Sequence, residues 1–174
     1  MYQELFPICI FYGPINSKKI IINNVKLKPT WLSKTMSSYA RDVKAEITEK
    51  SEVYLMETIA SLLQEKIKFG FKLELINVWE NHYKKDDYQE PHLHPQSDLS
   101  FIIYKKIKRS ETVFLSPFRN MVFLAGDPTE LHTTSYHVDL KQDNMIIFPS
   151  FLEHMVLKNS DQTTIAGNIK FSKI

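Results

Sequence analysis

The chain has 174 residues, 43% hydrophobic and 24% charged, with 2 Trp, 8 Tyr and 11 Phe, which fits one globular domain over 1–174 and excludes disorder along most of its length. Its 22 basic and 20 acidic side chains balance too closely to signal a nucleic-acid or membrane-surface partner. Cys9 is the only cysteine, which excludes an internal disulfide and a multi-cysteine zinc site and fits a reducing cytoplasm.

No basic leader precedes the apolar residues of the first eleven positions and no run of 18 apolar residues occurs, so neither a signal peptide nor a membrane span is expected. Leu5 to Tyr12 is apolar and β-prone and runs into Gly13-Pro14, which predicts a first strand closed by a turn. Residues 31 to 45 have a loose helical spacing through Trp31, Thr35 and Tyr39. A better helix starts at Ser51 as N-cap, repeats apolar residues at Leu55, Ile59, Leu62, Leu63 and Ile67, and meets Gly70 as its stop.

After Gly70 the period changes to two. Phe71, Leu73, Leu75, Asn77 and Trp79 alternate with Lys72, Glu74, Ile76 and Val78, the pattern of a long strand. Further strands are predicted at Leu99 to Lys106, Glu111 to Leu115, Met121 to Leu124, Ser135 to Leu140, Asn144 to Phe148 and Thr163 to Phe171. Four glycines in all form no phosphate-cradling cluster, so nucleotide-binding α/β folds are excluded. The class is α+β and mostly β: supporting elements over 1–70, with helices packed outside an antiparallel sandwich or barrel over 71–174.

The residues that carry chemistry begin at Glu90-Pro91-His92-Leu93-His94-Pro95. Histidines at i and i+2 of an extended segment point to the same side, so two imidazoles reach one metal ion. His-x-His pairs alone are common on surfaces, and a lone His154 reads as an ordinary core or surface histidine. The two elements together say more. Asp143 to Phe148 is a turn and an apolar strand, followed by Pro149 and, five residues on, His154, the return by which a barrel brings a third ligand to a His-x-His pair. His82, His132 and His137 have no partner at ligand spacing and read as surface or structural residues.

Taken together, Glu4-Leu5-Phe6-Pro7, Val78-Trp79-Glu80-Asn81, Pro91-His92-Leu93-His94-Pro95 with Leu99-Ser100 and Tyr104, and Phe148-Pro149-Ser150-Phe151-Leu152-Glu153-His154 resemble the phage and bacterial group of iron(II)- and 2-oxoglutarate-dependent oxygenases. The resemblance implies a double-stranded β-helix, the jelly-roll barrel also found in cupins. It implies iron(II) held by His92, His94 and His154, with 2-oxoglutarate as cosubstrate of a hydroxylation. It also implies a cytoplasmic setting, that of the host if the chain is phage-encoded. Substrate and oligomeric state are left open.

Two departures stand out. The wider superfamily places Asp or Glu where this chain has His94, which makes the site all-imidazole; Asp98 is a lesser candidate ligand. The arginine that normally pairs with the far carboxylate of 2-oxoglutarate falls, by counting back from Gly167-Asn168, at Gln162, which carries no charge. Lys106 shares the parity of His92, His94 and Tyr104 and is the expected replacement unless a bulge intervenes. Tyr104 would donate to the same carboxylate. Lys105, Lys108 and Arg109 read as a solvated hairpin, and Trp79 and Asn81 as packing or the mouth of the site. Two other classes fit the same residues: a cupin-like metal enzyme without 2-oxoglutarate, with Asp98 as fourth ligand or with zinc on the three histidines, and a non-catalytic barrel that binds a partner.

Overall fold

The structure, a computed structural model, describes residues 7–23, 25–30, 32, 35–39, 46–126, 133–158 and 161–174. Their elements in chain order are β1 (Phe11–Pro14), β2 (Lys28–Pro29), β3 (Met36–Ser37), α1 (Glu49–Gln64), β4 (Phe71–Tyr83), β5 (Gln89–His92), β6 (Leu99–Lys106), β7 (Thr112–Leu115), α2 (Arg119–Ala125), β8 (Ser135–His137), β9 (Asn144–Pro149), β10 (His154–Val156) and β11 (Gln162–Lys173).

From β4 onward the chain steps between two antiparallel sheets. The larger has the order β1-β9-β6-β11-β4-β3-β2 and the smaller β5-β10-β7-β8. The eight strands β4 to β11 thus form a double-stranded β-helix, four in each sheet, while β1, β2 and β3 extend the larger sheet and α1 covers it.

Alternation sorts the core into two layers. Val78, Phe101, Ile103, Met145, Ile147, Ile165 and Ile169 face outward onto Leu55, Ile59 and Leu63 of α1. Trp79, Ile102, Tyr104, Ile146, Phe148 and Ala166 face inward with Phe114, Val138 and Leu152. Burial of these large side chains, roughly 1.5–3 kcal/mol each, is what holds the sheets and the helix in place. Gly167 lies on the outward row, where a Cβ would collide with the Phe101 ring and the Asn77 carbonyl.

The helix starts two residues before the predicted segment. Thr48, not Ser51, is the N-cap and accepts from the Ser51 N–H at 3.3 Å. Ser51 is buried in the first turn, where its hydroxyl donates to the Lys19 carbonyl at 2.8 Å and accepts the Ile21 N–H at 3.1 Å. The helix ends at Gln64, with Lys66 and Ile67 both bonding to the Leu63 carbonyl. Gly70 is therefore no cap; its carbonyl pairs with the Ile174 N–H at the chain's end. Leu62 and Ile67 are only partly buried against the core.

Three other expectations are corrected. The first strand spans Phe11–Pro14 and includes Gly13-Pro14, because it pairs with β9 through Phe11↔Ile147 to Pro14↔Asn144. Met121 to Leu124 is helical, within α2, and Gly126 at φ 61° closes it in the left-handed conformation. Within 31–45, Met36–Ser37 is a strand on the edge of β4; residues 31, 33, 34 and 40–45 lie outside the described residues, as do Glu4, Leu5, Phe6 and His132.

Candidate metal centre and cavity

His92 ends β5 and His154 begins β10, and the two are paired directly across the smaller sheet. His94 follows in the turn after β5, fixed by its N–H to the Ser150 carbonyl at 3.0 Å. One ring nitrogen from each histidine lies within 4.8 Å of the others. Ring centroids are 4.2 Å apart for His92 and His154, 5.0 Å for His94 and His154, and 5.4 Å for His92 and His94.

The hydrogen bonds fix the tautomers. His92 Nδ1 lies 2.7 Å from the Glu90 carbonyl and His154 Nδ1 3.2 Å from the Leu152 carbonyl. A carbonyl only accepts, so each Nδ1 carries the proton and Nε2 the lone pair. His94 Nδ1 donates to Asn168 Oδ1 at 2.7 Å and reaches Ser100 Oγ at 2.9 Å, and Ser100 donates in turn to Asn168 Oδ1 at 2.9 Å. Three rings held this way are the usual outer support of a histidine metal site.

Charge points the same way. Burial pushes the His94 pKa down to about 4, helped by His92. Burial and the two neighbouring imidazoles hold His154 well below its ordinary value. Burial also lowers His92, against the Glu90 carbonyl, which raises it. All three rings are neutral near pH 7, the form that binds a metal.

The histidines open into a cavity of about 520 Å³, within the range of small-ligand sites. Its floor is the inward row of β4 and β11. Tyr39 and Leu93 are its exposed large hydrophobic lining residues and mark the mouth, while Trp79, buried on the inward row, has Tyr39 edge-on at 4.9 Å and His94 at 5.6 Å.

The remaining sequence candidates fall in different places. Gln162 lines the cavity. Tyr104 is fully buried and spends its hydroxyl inside the protein, donating to Thr112 Oγ1 at 2.9 Å and accepting from Ser110 at 3.1 Å. Lys106 is exposed and does not line the cavity. The reason is a register shift between β6 and β11, where Thr164 pairs with Tyr104 but Thr163 with Lys106. This bulge at Lys105 flips the parity and sends Lys106 to the outer face. Lys105 is also outward, bound to Glu80 at 2.7 Å. The expected cation is therefore not there, and no Lys or Arg among the described residues lines the cavity. Asp98 faces away from the histidines, accepting from the Phe171 N–H at 2.9 Å with Lys170 at 3.6 Å; it is no ligand. His82 pairs with Glu80, and His137 Nε2 lies 2.9 Å from the Ser110 carbonyl.

Asn168, Tyr83 and Gln89 were not singled out by the sequence, and Ser100 only as part of a matched block. Asn168 shares the inward row of Thr164 and Ala166, a signal that period-two counting back from Trp79 and its partner strand makes readable.

A double-stranded β-helix with three convergent neutral imidazoles at one end of its cavity defines a metal-dependent enzyme of the jelly-roll class. Residues 77–166 match a family model described as "Putative 2OG-Fe(II) oxygenase", more than half of the chain. The chain belongs to that family of iron(II)- and 2-oxoglutarate-dependent oxygenases. No curated protein sequence matches it. Among solved structures it is similar to an oxidoreductase of the 2OG-Fe(II) oxygenase family from Burkholderia pseudomallei, at 12% identity and TM-score 0.57 over 84% of this chain and 72% of that one. It is also similar to HygX from Streptomyces hygroscopicus with nickel, 2-oxoglutarate and hygromycin B bound, at 10% identity and TM-score 0.51 over 94% and 83%. A third is a prolyl-4-hydroxylase from Pseudomonas putida, at 12% and 0.51 over 83% and 76%. At these identities the likeness is one of fold.

Proposed function

We propose that His92, His94 and His154 hold the iron(II) of this oxygenase through Nε2, and that the cavity beside them takes 2-oxoglutarate and the substrate to be oxidised. The observation that carries the assignment is the shared tautomer: each Nδ1–H is given to a protein oxygen, and the lone-pair nitrogens belong to rings clustered within bonding reach of one ion. Iron(II), when bound, would supply the dioxygen-dependent oxidative decarboxylation of 2-oxoglutarate to succinate and carbon dioxide, with one oxygen atom going to succinate and the other to the substrate.

The chain's own residues do the rest. Asn168 and Ser100 orient His94, and the carbonyls of Glu90 and Leu152 orient the other two rings. Phe148 packs on His154 at 4.8 Å and Phe114 at 5.9 Å, an apolar wall that keeps water from the inner side. Tyr39 and Leu93 frame the entrance with Trp79 buried behind them, a setting for a substrate with an apolar or flat face. The even charge balance favours a small molecule or an exposed side chain over a polyanion.

The described N-terminal elements and the barrel act as one domain, because α1 covers the larger sheet and β1 to β3 extend it. A reducing cytoplasm, of a host if the gene is a phage's, suits ferrous iron and agrees with Cys9 being exposed and unbridged. No helix among the described residues is long and apolar enough to cross a membrane. The test is release of succinate from 2-oxoglutarate by the iron-loaded protein. Release that depends on iron and stops in His94→Ala and His154→Ala is expected; no release with iron bound would overturn the reading.

A further inference from the structure

The cavity has a second polar layer one step from the histidines. Val156 follows His154 on β10 by two residues, roughly 7 Å along a strand, and pairs with Gln89 on one side and Thr112 on the other. From the larger sheet this layer is faced by Asn81 and Tyr83 of β4 and by Thr164 and Gln162 of β11, registered as Asn81↔Thr164 and Tyr83↔Gln162. All six polar side chains line the cavity. None is charged.

The hydrogen-bonding state of the layer is specific. The Tyr83 hydroxyl donates to Gln89 Oε1 at 2.9 Å, and Thr112 Oγ1 accepts from Tyr104 at 2.9 Å. Gln162 Oε1 and Asn81 Oδ1, by contrast, have no partner, although the two residues are only 5% and 3% exposed. A buried acceptor left unmatched is costly, and two of them on residues of paired strands that line one cavity call for a ligand that donates. A carboxylate only accepts. It would need both amides turned to present N–H, with no cation among the described lining residues to balance its charge.

Resting on the reading of the histidines as a 2-oxo acid site, we propose that this layer is the subsite for the far end of that acid, and that Gln162 and Asn81 make it take an uncharged, donor-bearing end such as a carboxamide at least as well as the carboxylate of 2-oxoglutarate. The amide N–H groups of such a ligand pair with Gln162 Oε1 and Asn81 Oδ1, and its carbonyl accepts from an amide nitrogen or hydroxyl of the same layer. The departure from a guanidinium anchor is then a change of specificity, read out by the ligand's far end alone.

Two stable ligands share the chelating oxalyl group and differ only at that end: N-oxalylglycine, which ends in a carboxylate, and N-oxalylglycinamide, which ends in a carboxamide. Calorimetry on the zinc-loaded full chain measures both. The amide is expected to bind within threefold of the carboxylate or more tightly. In Gln162→Glu the carboxylate ligand should lose at least 30-fold while the amide, still met by an acceptor, changes less than fivefold; Asn81→Asp should shift the ratio in the same direction. The wild-type ratio needs no variant to fold. A wild-type preference for the carboxylate of 100-fold or more, or Gln162→Glu and Asn81→Asp leaving the ratio unchanged, overturns the inference and leaves the 2-oxo acid site intact. Binding of neither ligand to protein that holds zinc overturns the 2-oxo acid reading and the inference with it.

Discussion

Replacing Asn168 by Leu removes the acceptor that holds His94 in the tautomer a metal needs, while keeping a side chain branched at the same carbon. His94 Nδ1 has two oxygens in reach, Asn168 Oδ1 at 2.7 Å and Ser100 Oγ at 2.9 Å, so the single change leaves Ser100 to accept. Loss of such an orienting partner typically costs 10–100-fold in metal affinity, or about 1.4–2.7 kcal/mol. The single variant should fall near the lower end, about tenfold. Asn168→Leu combined with Ser100→Ala leaves Nδ1–H without either acceptor and should approach 100-fold. Asn168→Asp keeps an acceptor and makes it stronger, so its affinity should equal or exceed that of the wild type. Competition of zinc against a chromophoric chelator measures each constant, and urea unfolding of the metal-free proteins separates orientation from stability. A double variant within threefold of wild type, or an Asp variant as weak as the Leu one, would refute the role given to Asn168.

Other expected outcomes follow from the same geometry. The three imidazoles have pKa values held below 6.5, His94 at about 4; the unfolded chain therefore binds protons in this window that the folded chain refuses, and the metal-free protein should lose stability as pH falls from about 6.5 toward 4. Urea midpoints at pH 7.5 and 5 test this, with a shallower slope expected in His154→Leu and an equal midpoint at both pH values contradicting it. Ile59→Ala, at a position fully buried between α1 and the larger sheet, should cost about 2–5 kcal/mol in denaturant unfolding while zinc affinity stays within threefold; a loss under about 0.5 kcal/mol would place α1 outside the core. Lys106→Ala should leave the calorimetric affinity for 2-oxoglutarate unchanged, because the bulge turns that side chain outward; a drop of tenfold or more would show that it reaches the cavity.

The long strands were legible because both faces of the larger sheet are read by period two. Leu99 to Lys106 falls on β6 residue for residue, the runs for β9 and β11 come within two residues of their ends, and the run for β4 starts with the strand at Phe71 but stops four residues short of Tyr83. The convergence of the three histidines was legible for a different reason: i, i+2 spacing and a return strand are local patterns, and β5 and β10 pair His92 directly with His154. What could not be read depends on contacts between strands. A bulge leaves no mark in Tyr104-Lys105-Lys106, yet one extra residue reverses the face of everything after it, which is why parity placed Lys106 inside. Met121 to Leu124 suits a helix as well as a strand, and only Gly126 in the left-handed region closes it as one. Thr48 and Ser51 are both good N-caps by type; the Lys19 carbonyl, 32 residues away from Ser51, decides between them. The role of Asn168 required knowing that β11 lies beside β6 and below the turn that carries His94.

The central claim is that His92, His94 and His154 form one iron(II) site. Anaerobic titration of the metal-free protein with iron(II) against a chromophoric chelator tests it most directly, run in parallel on the wild type and on His92→Ala, His94→Ala and His154→Ala. One iron per chain in the wild type, with affinity reduced at least 100-fold in each variant, is the predicted result. Stoichiometric binding that survives the loss of any one of the three histidines within tenfold would contradict it.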